Sequence, residues 1–159
     1  MVYIRGLIVV DKIEYKIFSK FNQSILEEIF LLEKEVFDTP HSLEELESEL
    51  FSKHNALILI AYLDSKPVGF KVGFERSNRI FYSWIGGVAL HARNKSIAKE
   101  LMNIQHQKVK ELGYQVICTQ TSNKFKPMLI LNLSSGFDIV GTLKSTGDQD
   151  LTLILEKSL

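Results

Sequence analysis

Residues 80–98 constrain this chain more than any other stretch. They run apolar from Ile80 through Phe81, Tyr82, Trp84, Ile85 and Val88 to Leu90. They turn polar over His91, Ala92, Arg93, Asn94, Lys95 and Ser96, and resume as an amphipathic helix at Ile97. A strand that passes through a short loop into a helix leaves the first helical N–H groups without intrahelical acceptors. Those groups and the positive end of the helix dipole make a ready site for an anion, above all a phosphate. Arg93 and Lys95 add two cations beside it. A phosphorylated ligand follows as the sharper expectation. The plainer one is a connector in which Ser96 caps the helix.

The length of 159 residues suits one domain, spanning residues 1–159, with a sizeable core. With 45% hydrophobic and 24% charged residues, the composition is that of an ordinary globular chain. Lys plus Arg and Asp plus Glu both number 19, so charge gives no case for nucleic acid or an anionic membrane surface. The single cysteine, Cys118, sits in the apolar run Val116-Ile117-Cys118. It reads as a small core residue rather than a nucleophile, and a lone cysteine fits a reducing cytoplasm. No apolar run approaches the ~20 residues of a membrane-crossing helix. Residues 2–10 are apolar, but Arg5 interrupts them and Asp11 and Lys12 follow at once. They read as an extra strand or a packed N-terminal arm rather than a signal peptide. His41, His54, His91 and His106 lack metal-ligand spacing, so no metal is expected, and His91 is notable only for adjoining the polar loop.

Along the chain, residues 13–19 alternate as a strand. Ser24 is placed to cap a helix whose apolar stripe is Ile25, Ile29, Leu32 and Val36. Thr39-Pro40 breaks it, and Ser42 with Glu45 forms a capping box for a second short helix. The many glutamates of this segment make either a solvated face or a surface attractive to a cationic substrate. Residues 56–63 form a continuous apolar run, as in a strand buried on both faces. Residues 68–74 alternate, and a hairpin loop at 76–79 leads into the strand at Ile80. The helix from Ile97 ends at Gly113, and residues 115–121 form a strand. Pro127 fits the first turn of a helix that stops before Gly136. Two last strands, 137–143 and 151–155, are joined by Ser145, Thr146, Gly147 and Asp148. The order is β-α-α-β-β-β-α-β-α-β-β, which predicts an α/β (α+β) fold. Its sheet is mixed and largely antiparallel, of about seven strands, with helices on both faces.

This order and the residues from Val88 onward resemble the GNAT acyltransferases (Gcn5-related N-acetyltransferases). The family's strand ending in Val, often with Pro two residues on, then Arg or Gln, two residues, Gly, one residue and Gly or Ala, falls here on Val88, Leu90 where Pro is usual, Arg93, Ser96 and Ala98. A second family feature is a strand, an Asn near its end, a helix and Gly-Phe. Here these are residues 116–121, Asn123, 127–133 and Gly136-Phe137. The resemblance spans about residues 13–155. It implies that acetyl-CoA, as co-substrate, lies in a V between the strands 81–90 and 115–121. The pantetheine arm would pair with the backbone at Val88 and Leu90, the pyrophosphate would rest on Arg93, Asn94, Lys95, Ser96, Ile97 and Ala98, and Asn123 would fall near the pantetheine. Gly86-Gly87 fits either a bulge that bends the strand or close packing of a helix over it.

Two departures from the family pattern matter. Ser96 stands where Gly is usual and Asn94 where Gly is common; Gly reaches positive φ freely and lets backbone approach phosphate. Asn132 stands where many members have a Tyr as general acid, and an amide donates a hydrogen bond but not a proton. Tyr82 or water would then protonate the thiolate. Tyr82 and Trp84 share one strand face, and core packing is the plainer reading of both. Glu75, Glu35 and Asp38 are the carboxylates available as bases. The resemblance thus implies acetyl transfer from acetyl-CoA to a primary amine, on a small molecule or a peptide, by direct attack in a ternary complex. A homodimer would be compatible with it. The other class of function left open is a degenerate member that binds acyl-CoA or a partner without turnover.

Overall fold

A computed structural model describes residues 12–144 and 150–159, together with the backbone of two short strands before them. Those strands, β1 (Val2–Ile4) and β2 (Leu7–Val9), pair antiparallel with each other in a sheet of their own. The turn expected at Ser145, Thr146, Gly147 and Asp148 lies outside the described residues.

The main sheet has seven strands in the order β3-β4-β5-β6-β7-β9-β8. They are β3 (Ile13–Phe18), β4 (Leu57–Leu63), β5 (Lys66–Ser77), β6 (Ile80–Val88), β7 (Val116–Ser122), β8 (Asp138–Lys144) and β9 (Leu151–Ser158). Every neighbouring pair is antiparallel except β6 and β7, which are parallel. The helix between them, α3 (Ile97–Glu111), is the crossover that a parallel pair requires. Two helices, α1 (Gln23–Val36) and α2 (Leu43–Phe51), precede β4, and α4 (Lys126–Ser134) follows β7. The expected mixed, mostly antiparallel sheet is what forms.

The alternation of β4 decides how the layers pack. Ile58, Ile60 and Tyr62 face α1 and α2, where Ile25, Leu26, Ile29, Leu32, Leu46 and Leu50 bury against them. Leu57, Leu59 and Ala61 face the opposite side, where Ile97, Leu101, Met102 and Val109 of α3 and Leu129 of α4 complete a second core. The expected Ser42–Glu45 capping box is present: Ser42 Oγ accepts the Glu45 N–H at 3.1 Å, and Glu45 accepts the Ser42 N–H at 2.7 Å. At α1 the expectation fails. Asn22, not Ser24, caps the helix, its Oδ1 accepting from Ile25 N at 3.0 Å, because the helix begins at Gln23. Gly113 and Gly136 have φ of +91° and +90°, the left-handed backbone suited to the ends of α3 and α4.

Candidate active site

The parallel pair β6–β7 is short. It is in register only from Ile80–Val116 to Ser83–Thr119. Beyond that rung β6 stays with β5 as far as Val88–Gly69, while β7 stays with β9 as far as Ser122–Thr152. The two strands therefore part, each held by its outer neighbour, and a V opens between them. At its apex Thr119 Oγ1 donates to the Ser83 carbonyl at 2.8 Å, and Ser83 Oγ donates to Gln105 Oε1 on α3 at 2.8 Å.

The β-bulge falls at this point. Val72 pairs with Ile85 and Gly73 with Ser83, so Trp84 is the extra residue. Gly86 and Gly87 are in register opposite Lys71 and Phe70. The bulge expected at the two glycines thus lies earlier, and the glycines answer to close packing. A Cβ on Gly87 would lie 2.4 Å from Val36 Cγ1 at the end of α1, and one on Gly86 would lie 2.9 Å from the Phe70 carbonyl oxygen.

The V leads into a cleft of about 790 Å³ running up to the start of α3. Its walls are Val36 and Phe37 at the end of α1, Lys71 on β5, Gly86 to Val88 on β6, and Pro127, Met128 and Leu131 on α4. Arg93, Asn94, Ser96, Ile97 and Ala98 line its far end. Ala89 N donates to Val68 O at 2.8 Å, so Val88, one residue earlier, turns its own N–H and C=O the other way, toward the cleft. Its carbonyl there accepts from Arg93 Nε at 3.2 Å, which fixes the arginine beside the loop.

The loop itself is left-handed at Asn94 (φ +63°) and Ser96 (φ +59°). These are the two positions where glycine would be at ease, and an asparagine tolerates that backbone best among other residues. Ser96 occupies the N-cap position of α3, yet its side chain makes no capping hydrogen bond. Ser96 contributes its carbonyl instead, which accepts from Glu100 N at 3.0 Å.

The other expected residues are placed elsewhere. Leu90 lies in a 3-10 turn (Leu90–Ala92) past the end of β6, is 73% exposed, and its carbonyl accepts from Arg93 N at 3.3 Å. Lys95 and Asn123 are exposed and do not line the cleft; Asn123 Oδ1 accepts from Lys126 Nζ at 3.2 Å. Asn132 is buried in α4 and does not line it either, whereas Met128 and Leu131 of the same helix do. Tyr82 is half-buried on the α1–α2 face, its ring 5.5 Å from Phe74, which is itself 5.9 Å from Trp84. Burial there holds the Tyr82 hydroxyl above its usual pKa. Glu75 is engaged by Tyr114 Oη at 2.6 Å and Asn55 Nδ2 at 2.7 Å, bonds that hold its carboxyl below the usual range. It pairs with Phe81, at the end of β6 away from the cleft. Glu35 and Asp38 are exposed. Cys118 is buried, and that burial raises its thiol pKa.

Two groups were not singled out from sequence. Glu33 is fully buried, yet accepts the His41 backbone N–H at 2.9 Å and lies 3.0 Å from His41 Nδ1. A carboxylate only accepts, so it keeps the ring hydrogen on Nδ1 and leaves Nε2 as the basic atom. His41 and Trp84, ring centroids 5.3 Å apart, line an open groove of about 790 Å³ with Glu44, Glu45 and Glu49 of α2. Groove and cleft meet β6 at Trp84 and Gly86, two residues or roughly 7 Å apart along a strand. The second group is Lys71, 9% exposed in the cleft wall, where burial pulls its ammonium down to a pKa of about 8. A signal existed for both. Glu33 stands four residues after Ile29 on the buried stripe, and Lys71 interrupts an apolar strand between Gly69 and Gly73.

No family model matches the sequence, and no curated protein matches it. Solved structures do. The ribosomal-protein-S18-alanine N-acetyltransferase from Escherichia coli superposes with a TM-score of 0.79 over 91% of this chain and 94% of that one, at 13% identity. The chain has the GNAT fold. A chain of the NatC complex bound to Gag peptide and CoA matches with a TM-score of 0.76 over 93% of this chain and 99% of that one, at 20% identity. Arabidopsis thaliana NAA60 in complex with a bisubstrate analogue matches with a TM-score of 0.75 over 92% and 98%, at 16% identity. The first of these is an N-acetyltransferase by name, and the splayed strands and loop cleft described above are this chain's own. Among the described residues no helix is long and apolar enough to cross a membrane, and no group of three or more His, Cys, Asp or Glu is placed to hold a metal.

Proposed function

We propose that this chain is a single-domain N-acetyltransferase that moves acetyl from acetyl-CoA to a primary amine by direct attack in a ternary complex. The observation that carries the reading is the parting of β6 and β7 beyond Ser83–Thr119, into a cleft that ends at the left-handed loop before α3. The residues present fit the co-substrate. Amides at the start of a 15-residue helix suit a pyrophosphate, with Arg93 tethered beside them. Ile97, Met102, Met128 and Leu131 give the cleft an apolar lining. The inward-turned N–H of Val88 offers an edge to an extended, amide-bearing arm, a main-chain mode that tolerates side-chain change. When bound, the co-substrate supplies an activated acetyl thioester.

The acceptor enters by the groove on the α2 side. Glu44, Glu45 and Glu49 surround it with carboxylates and Trp84 presents an aromatic face, both favourable to an amine arriving as a cation. His41 Nε2 takes the amine proton, and Glu33 orients the ring and stabilises the imidazolium. Holding the two reactants side by side across β6 supplies the rest of the rate by proximity. The setting for such chemistry is the cytoplasm.

The test is release of CoA thiol from acetyl-CoA against a panel of primary amines, run beside a CoA binding titration. Thiol release that depends on an amine supports the reading. Asn132, in place of a tyrosine and away from the cleft, favours the alternative of a module that binds without turnover. Saturable binding with no release for any amine would select that alternative.

A further inference from the structure

Lys71 is buried in the wall of the cleft, and no described residue accepts a hydrogen bond from its ammonium or forms an ion pair with it. A buried ammonium without a partner is costly, and proteins keep one where a ligand supplies the partner. Its surroundings show where that partner would sit. Lys71 pairs across β5–β6 with Gly86, and a Cβ built on Gly86 would lie 3.3 Å from Lys71 Cγ. The lysine stem therefore lies across a residue with no side chain, in the space that any other residue would fill. Gly86 is three residues past the last β6–β7 rung at Ser83, at the narrow end of the V. An arm running down β6 from the phosphate loop presents its reactive end there.

We propose that the Lys71 ammonium faces the sulfur of bound CoA and gives the departing thiolate its proton. The inference rests on the co-substrate reading above. In the step, the amine, already neutral after giving its extra proton to water, bonds through nitrogen to the acetyl carbon and loses a further proton to His41, the carbon–sulfur bond breaks, and the sulfur takes the electron pair and one proton from Nζ. Lys71 is left as a neutral amine and regains a proton from water as CoA thiol leaves; His41 returns its own proton to water. The role left vacant by Asn132 is thereby filled from the opposite wall of the cleft.

The charge environment suits the task. From α3, His106 is the titratable group that feels Lys71, and burial and the cations Lys157 and Lys71 hold it neutral, with a pKa of about 4. No carboxylate offsets the lysine, and burial alone lowers its pKa to about 8. It is therefore protonated near neutral pH yet a ready donor to a thiolate of similar basicity.

The test titrates the sulfur of CoA in its binary complex, by the ultraviolet absorbance of the thiolate, with no acceptor present. In the unaltered protein the bound thiolate forms about 1–3 pH units lower than in free CoA, as expected beside an opposite charge. Lys71→Met still binds CoA but abolishes that shift, and its affinity for desulfo-CoA is unchanged. A bound CoA that titrates alike in both proteins overturns the proposal. So does an equal loss of affinity for CoA and desulfo-CoA, which marks a merely structural lysine. If the unaltered protein binds neither molecule, the co-substrate reading fails and this inference with it, an outcome distinct from tight binding without a shift.

Discussion

Gly87 and Val36 touch where only a hydrogen fits between them: a Cβ on Gly87 would come 2.4 Å from Val36 Cγ1. This contact seats the end of α1 on β6 and sets the width of the cleft at that point. Gly87→Ala forces the helix outward, at a cost of about 1–3 kcal/mol for an overpacked site. Thermal unfolding should show the loss, and CoA affinity should fall with it. Adding Val36→Ala should restore part of both, since the two positions couple directly.

Ser96 holds a left-handed backbone with no compensating cap bond. Ser96→Gly should stabilise the chain, by up to about 1 kcal/mol, because that conformation costs a non-glycine residue about 1–2 kcal/mol. CoA affinity should stay equal or rise, as the backbone comes closer to phosphate. Ser96→Val should destabilise the chain and weaken CoA, being both branched and bulky at that φ. Calorimetric titration and melting curves of the three proteins check this.

The fold was legible because its signals are local and repeated. The continuous apolar run of β4 and the alternating β5 announced sheet strands, and Ser42 with Glu45 announced α2. The strand-loop-helix unit at residues 80–111 was legible too, since its turn is short, its residues are adjacent in sequence and such a unit has few geometries. What sequence could not place was anything made by two elements meeting. The tightness at Gly87 needs Val36 from α1, the reach of Lys71 needs Gly86 from the next strand, and His41 needs Glu33 from the helix before it. Asn132 shows the converse. Its place in the motif suggested the cleft, but the turn of α4 directs Met128 and Leu131 there instead.

His41 and Glu33 should both show in stability, and His41 in turnover as well. Glu33→Ala removes the acceptor of two His41 donors inside the core, and should cost about 1–3 kcal/mol. His41→Ala leaves the buried Glu33 carboxylate with only the residue-41 backbone N–H, and should also cost about 1–3 kcal/mol. It should lower turnover with an amine that the unaltered chain acetylates by ~10²–10⁴-fold, the usual loss of a general base. Equal turnover in His41→Ala would remove the base from the account.

Lys71 should also be visible in stability. Folding lowers its pKa from 10.5 to about 8, so between those values the unfolded chain binds a proton that the folded chain does not. The penalty of burying the charge is full below about pH 8 and is relieved as pH rises toward 10.5, so stability increases across that window. The relief is on the order of 3 kcal/mol at 1.36 kcal/mol per pH unit. Lys71→Met should be more stable than the unaltered protein at neutral pH, and the difference should shrink as pH rises toward that upper limit. Denaturant titrations of both proteins at several pH values measure it.

Whether the cleft between β6 and β7 holds acetyl-CoA is read from the melting temperature with and without that molecule. At a hundred times its dissociation constant a ligand adds about 2.7 kcal/mol. For a chain of this size that is a rise of several degrees, at ~2–4 °C per kcal/mol. Acetyl-CoA should produce that rise, and Gly87→Ala should reduce it. An unchanged melting temperature at millimolar acetyl-CoA would contradict binding in the cleft.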